Sequence, residues 1–149
     1  MERSYVPSRQ GVVHGEHTAD LWLMTVGSSA AECISRMISG VYGVMSEEYM
    51  LLDGGKDSLS IESGNMEVLL VELLSEALFL FDAENVIITE PSITILESEK
   101  GYRLDLEFVR STFSIPPGKG GMEVKAATYH EASLIQDADG WSARVLLDL

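Results

Sequence analysis

Three short stretches hold residues whose types and spacing could do chemistry. His17-Thr18-Ala19-Asp20 sits at the entrance to an alternating segment, Glu123 to His130 reads EVKAATYH, and the chain ends Leu146-Leu147-Asp148-Leu149. At that end the Asp148 side chain and the free carboxylate of Leu149 are adjacent. Two carboxylates ~6 Å apart repel by roughly 0.7–3 kcal/mol at effective dielectrics between 80 and 20. Water absorbs a cost of that size, whereas a buried pair needs a cation. In EVKAATYH, a period of two puts Lys125 and Tyr129 on one strand face and Thr128 and His130 on the other.

The familiar catalytic patterns are missing. There is no Gly-x-Ser-x-Gly elbow, no His-Glu-x-x-His and no cysteine pair for zinc, and PPGKGG lacks the spacing and the Ser or Thr of a phosphate-binding loop. A metal-dependent hydrolase is disfavoured because no general base of tuned pKa is evident near the aspartates. With 24 acidic and 10 basic residues the net charge is −14, which repels phosphate backbones and attracts cations and basic protein surfaces. No direct nucleic-acid binding is therefore expected. The single cysteine, Cys33, falls on an apolar helical stripe, where a small buried hydrophobe is the expected reading. The N-terminus lacks the apolar core of a signal peptide, and Glu72 and Glu76 interrupt the richest apolar run. A cytoplasmic protein that does not enter a membrane is the expectation.

Two helices and a set of strands must position these residues. The segment 28–46 opens with Ser29 and Glu32 at capping-box spacing, and Cys33, Ile34, Met37, Ile38, Val41, Tyr42 and Met45 then form one helical face. A second helix is predicted over about 65–82, where Met66, Leu69, Leu70, Leu73, Leu74, Ala77, Leu78 and Phe81 line a stripe and Glu67, Glu72 and Glu76 lie elsewhere. DLWLMTV, NVIITEPSITILES, GYRLDLEFVR, MEVKAATYHEASLIQ and WSARVLLDL alternate as half-buried strands do, with turns at 99–101 and 137–140. In the first of these, Trp22, Met24 and Val26 share a face opposite Leu21, Leu23 and Thr25. At 149 residues one domain is expected, with residues 1–10 flexible and 111–122 a mobile loop. The fold class is α+β: a two-layer sandwich, one largely antiparallel or mixed sheet with both helices on one face.

HTAD at 17–20, LLVELLSEALFLFD at 69–82, EVKAATYH at 123–130 and the terminal RVLLDL resemble the archease family, in the same order and over nearly the whole chain. The resemblance implies a non-catalytic, metal-binding cofactor of the RtcB-type tRNA-splicing ligase that promotes the ligase's guanylylation and multiple turnover. It implies a divalent metal, commonly calcium, held by Asp20, Asp148 and the carboxylate of Leu149. Such hard oxygen donors suit calcium or magnesium. His17 is then a hydrogen-bond partner orienting a carboxylate, or a structural histidine at a strand start. Lys125 and His130 are candidates to face the ligase, the alternatives being a solvated lysine and a turn histidine. Arg144 shares a face with Asp148 and could be a counter-charge over the metal site, a contact to a phosphate of the ligase partner or one half of a surface salt bridge, the last being the expected reading. Glu72 and Ser75 stand where the family more often has aspartate and asparagine, and PPGKGG departs from the usual loop. The reading from another class is a small acidic chaperone or modulator of RNA- and DNA-modifying enzymes.

Overall fold

The computed structural model describes every residue except Thr18, with Glu16 and His17 described by their backbone alone. The elements in chain order are β1 (Glu2–Tyr5), β2 (Val12–His17), β3 (Asp20–Gly27), α1 (Ala30–Met45), β4 (Tyr49–Ser63), α2 (Met66–Glu84), β5 (Val86–Ser98), β6 (Gly101–Ser114), β7 (Ala126–Asp137) and β8 (Gly140–Asp148). The α+β class and the antiparallel pairing agree with expectation. The strands divide, however, into two four-stranded sheets of order β1-β4-β6-β5 and β2-β3-β8-β7, where the sequence suggested one.

The physical reason lies in α2. Val71 and Leu80 are buried along with Leu69, Leu70, Leu73, Leu74, Ala77 and Leu78, so the helix is apolar around most of its circumference. A helix of that kind needs cover on more than one side. It packs on β7 of the second sheet and on β4, β5 and β6 of the first, while α1 lies on β3 and β8 and reaches β5. Both helices are thus shared between the sheets.

Both helices are capped by their own sequence. Ser29 Oγ accepts the Glu32 N–H at 3.1 Å, and Glu32 Oε1 reaches back to the Ser28 N–H at 3.0 Å, one residue earlier than in the usual box. Asn65 Oδ1 caps α2 through the Val68 N–H at 2.9 Å. Asn85 ends α2 in the left-handed region, which asparagine tolerates. Gly40 lets α1 lie close to the second sheet: a Cβ there would come within 3.1 Å of Leu23.

Strands β1, β2 and β4 were not anticipated. β4 runs through Asp53-Gly54-Gly55-Lys56, with a register shift between Asp53 and Lys56, and depends on pairing with β1 and β6. Residues 2–5 are β1, and residues 111–114 are the end of β6. Beyond them, Gly121 and Met122 donate N–H groups to Met45 O and Val44 O at 2.8 and 2.9 Å, capping the C-terminus of α1. Cys33 is fully buried, and burial pushes its thiol pKa up. No helix among the described residues is long and apolar enough to cross a membrane.

Candidate functional site

The second sheet positions the candidate residues. Leu21, Leu23, Thr25, Ala143, Val145 and Leu147 are buried on its inner face, towards the helices. Alternation then puts Asp20, Trp22, Met24 and Val26 of β3, and Ser142, Arg144, Leu146 and Asp148 of β8, on its outer face.

β3 and β8 are antiparallel with Asp20 directly opposite Asp148. Directly opposed residues share a face, with Cβ atoms typically about 4.5–5.5 Å apart. Both side chains are half-buried. Leu149 falls on the other face and packs against the core, while its N–H donates to Ala19 O at 3.2 Å. The backbone of the last residue is therefore fixed beside the start of β3. Lys125 donates its N–H to Asp148 O at 2.8 Å, and Ala126 is the register partner of Asp148. Asp20, Asp148, Leu149 and Lys125 are thus gathered at one end of the sheet. His17 is the register partner of Asp20 at the same end, and its side chain, with the orienting role expected of it, lies outside the described residues.

Two aspartates opposed across strands, with a terminal carboxylate one residue further on, form an all-oxygen donor set that could hold a hard divalent cation. No group of three or more His, Cys, Asp and Glu side chains with metal-holding geometry occurs among the described residues.

His130 and Arg144 belong to a separate cluster on the same face. The Arg144 guanidinium lies over the Trp22 ring, 4.9 Å from its centroid, and Nε and Nη2 donate to Glu131 O at 3.2 and 3.0 Å. Four residues along β8 separate it from Asp148, about 13 Å of strand. It is neither a counter-charge over the aspartates nor half of a salt bridge among the described residues. The His130 ring is 6.3 Å from that of Trp22, with Nε2 3.6 Å from Glu131 Oε2. Lys125, just before β7, and His130, within it, are both exposed. Trp22 and Glu131 were not singled out from sequence. Trp22 stands two residues from Asp20, which was a usable signal; Glu131 gave none, because its role is that of a carbonyl in a bulge.

A surface groove lined by Lys56, Asp57, Glu90 and Glu107 among others is on the first sheet, where β4 and β5 both bulge against β6. Asp57 there is already committed to Arg110.

An α+β protein of two four-stranded sheets, with an acidic pair closing one end of the second, is the class these observations define. Residues 14–149 match the Archease protein family (MTH1598/TM1083), and the chain belongs to that family. It is 30% identical over 137 residues to the protein archease of Thermococcus gammatolerans, covering 91% of this chain and 96% of that one. Identity with the archease of Methanosarcina barkeri is 25% over 135 residues, 90% and 92% of the two chains. Among solved structures, Methanobacterium thermoautotrophicum protein 1598 superposes with a TM-score of 0.74 at 25% identity, covering 94% of this chain and 99% of that one. The Thermotoga maritima archease, described as a possible chaperone, shares the fold with a TM-score of 0.58 at 21% identity and 90% and 94% coverage.

Proposed function

We propose that this protein is a non-catalytic, metal-binding cofactor of an RtcB-type RNA ligase, promoting the ligase's guanylylation and its repeated turnover in tRNA splicing and RNA repair. Membership of the archease family supports the reading. The observation that carries it to particular residues is the pairing of Asp20 with Asp148, with Leu149 tied by its N–H to Ala19 O. Asp20, Asp148 and the Leu149 carboxylate would hold the metal, calcium being the ion whose irregular oxygen shell they suit. The bound ion would neutralise charge that otherwise repels across the strand ends. The strands contribute rigidity: antiparallel pairing and the packed Leu149 side chain hold the donors at fixed spacing. Lys125, joined to Asp148 through the backbone, would present a cation beside them, and His17 would stand at the same strand end.

The direct experiment supplies labelled GTP to the ligase of the same organism with and without this protein. The ligase should become guanylylated faster and turn over repeatedly in its presence, while this chain stays unlabelled. A covalent nucleotide on this chain, or no effect on the ligase, would overturn the reading. The Thermotoga maritima relative's description as a possible chaperone favours a second reading, a small acidic chaperone or modulator of RNA-modifying enzymes. Co-purification separates the two. A splicing ligase among the bound proteins supports the first, and several unrelated RNA enzymes the second.

A further inference from the structure

We infer that the uncovered face of the second sheet carries a protein-docking site, built from Trp22, His130 and Arg144, that receives a carboxylate of the partner. The inference rests on the reading above that this partner is the RNA ligase, and it adds a contact separate from the acidic end.

The helices occupy the inner face of the sheet, so the side chains on its outer face have no helix over them. There Trp22 is the register partner of Leu146, and Met24 the partner of Arg144, giving an apolar floor beside a cation. Arg144 is held on two flanks, by the Trp22 ring below it and by Glu131 O, which accepts from both Nε and Nη2. A guanidinium has five N–H donors. Those on Nη1 make no hydrogen bond among the described residues. A partner group meeting them would find the arginine already ordered, which lowers the entropic cost of binding.

The carbonyl that orders it is presented by an unusual backbone. Between Thr128 and Ser133 β7 advances five residues while β8 advances only two, from Leu146 to Arg144. Within that bulge Glu131 adopts φ 48°, in the left-handed region that a glutamate rarely occupies. The same bulge brings the His130 ring to 6.3 Å from that of Trp22, tilted by 34°.

Charge identifies the occupant. Arg3, Arg36, Arg103 and Arg110 each have a carboxylate within ion-pair distance. Arg144 and the exposed Arg9 have none among the described residues of a chain carrying 24 acidic side chains, and of these two only Arg144 is held in place, over the Trp22 ring and by Glu131 O. An acidic group on a partner is repelled over most of this surface and attracted here, so the contact would fix orientation as well as affinity. Tryptophan and arginine are also the residues in which interface energy concentrates. An RNA phosphate is the weaker candidate, since the net charge of −14 opposes a polyanion.

The test measures ligase affinity for the wild-type chain, for Arg144→Met, which keeps an apolar stem on Trp22, and for exposed His130→Ala, with melting temperatures recorded throughout. Arg144→Met should weaken binding about 30-fold and His130→Ala about fivefold, without loss of melting temperature or of response to calcium. If Arg144→Met fails to fold, His130→Ala decides by the same criterion. Wild-type affinity retained in a folded Arg144→Met overturns the docking site and leaves the ligase reading standing. A wild-type chain that does not bind the ligase overturns both. If single-stranded RNA binding is lost in Arg144→Met while ligase affinity is unchanged, the occupant is RNA and the carboxylate site is wrong.

Discussion

On the first sheet all three arginines are committed to carboxylates. Arg3 pairs with Asp53, Arg103 with Asp105, and Arg110 with both Asp57 and Glu84. Ser111 and Ser60 add hydroxyl hydrogen bonds to Asp53 and Asp105. On the second sheet the exposed face is arranged the other way. Asp20 faces Asp148, a like charge, and Arg144 lies on an aromatic ring with a carbonyl in place of a carboxylate. Like charges placed directly opposite destabilise a strand pair, and an arginine kept from the many available carboxylates gives up ion-pair energy. The contrast teaches that the first sheet pairs its arginines with its own carboxylates, while the second keeps Arg144 and the two aspartates available. Substitutions on the second should therefore remove function and spare stability, and substitutions at the first should do the reverse.

The largest effect is expected at Asp148. Asp148→Asn keeps the shape and removes the charge opposite Asp20, so stability in metal-free buffer should hold or rise slightly as repulsion is relieved. At a hundredfold excess over Kd, calcium should stabilise the native chain by about 2.7 kcal/mol, roughly 6–10 °C in Tm, because it binds only the folded state. That shift, and the stimulation of the ligase, should vanish in Asp148→Asn and Asp20→Asn. One glycine added after Leu149 should act likewise, moving the free carboxylate ~3.3 Å along the strand. A calcium response that survives all three changes would break the comparison at its functional end.

Next in size is Tyr42, where α1 joins the first sheet. Its buried hydroxyl accepts the Ile88 N–H at 2.8 Å, and its carbonyl accepts the Tyr49 hydroxyl at 2.6 Å. Tyr42→Phe leaves the Ile88 N–H without a partner and should cost about 1–3 kcal/mol, with the calcium response preserved. Burial pushes the Tyr42 phenol well above its ordinary value, against the opposing pull of the Ile88 N–H. A pKa raised on folding contributes stability that is fully present below the unfolded value near 10 and lost as pH rises towards the folded one. Urea unfolding between pH 8 and 11 should show this loss, smaller in Tyr42→Phe. Equal slopes would show that this phenol is not the group responsible.

How much of this was legible in the sequence differs between the same two sheets. The strands of the second that carry the aspartates alternate strictly, so the shared face of Trp22 and Met24 could be read directly, and so could the two helices with the Ser29 and Glu32 cap of the first. β4 was illegible because Asp53 to Ser60 offers glycines and polar residues, and its strand state comes from partners distant in sequence. The division into two sheets was hinted at only by Val71 and Leu80, which widen the apolar stripe of α2 beyond one face. Asp20, Asp148 and Leu149 could be named from the family resemblance, and the structure brings their backbones together. The Trp22, His130 and Arg144 cluster could not, since it depends on a bulge that resets the register of β7 against β8.

The smallest effect sharpens the first sheet. The Arg3 guanidinium, and after it the Ser111 hydroxyl, hold the Asp53 carboxyl below the usual carboxylate range. A pKa lowered on folding contributes stability that is present above the unfolded value near 4 and lost as pH falls through the folded one. The Arg3–Asp53 pair is about two-fifths exposed on both sides, so solvent screens it. Its worth should lie at the level of surface pairs, roughly 0.2–1 kcal/mol. Asp53→Asn should therefore unfold at slightly lower urea than the wild type at pH 7, and the gap should close as pH is taken from 5 to 2. Salt should narrow it as well, because the Debye length shortens to ~3 Å at 1 M. The sign of the pH dependence is what matters here. A gap that widened in acid would mean that Asp53 is stabilised in its protonated form, through the buried Ser111 and Thr89 hydroxyls and not through Arg3. The first sheet would then be held by a neutral hydrogen-bond chain, and its surface charges would be as uncommitted as those of the second.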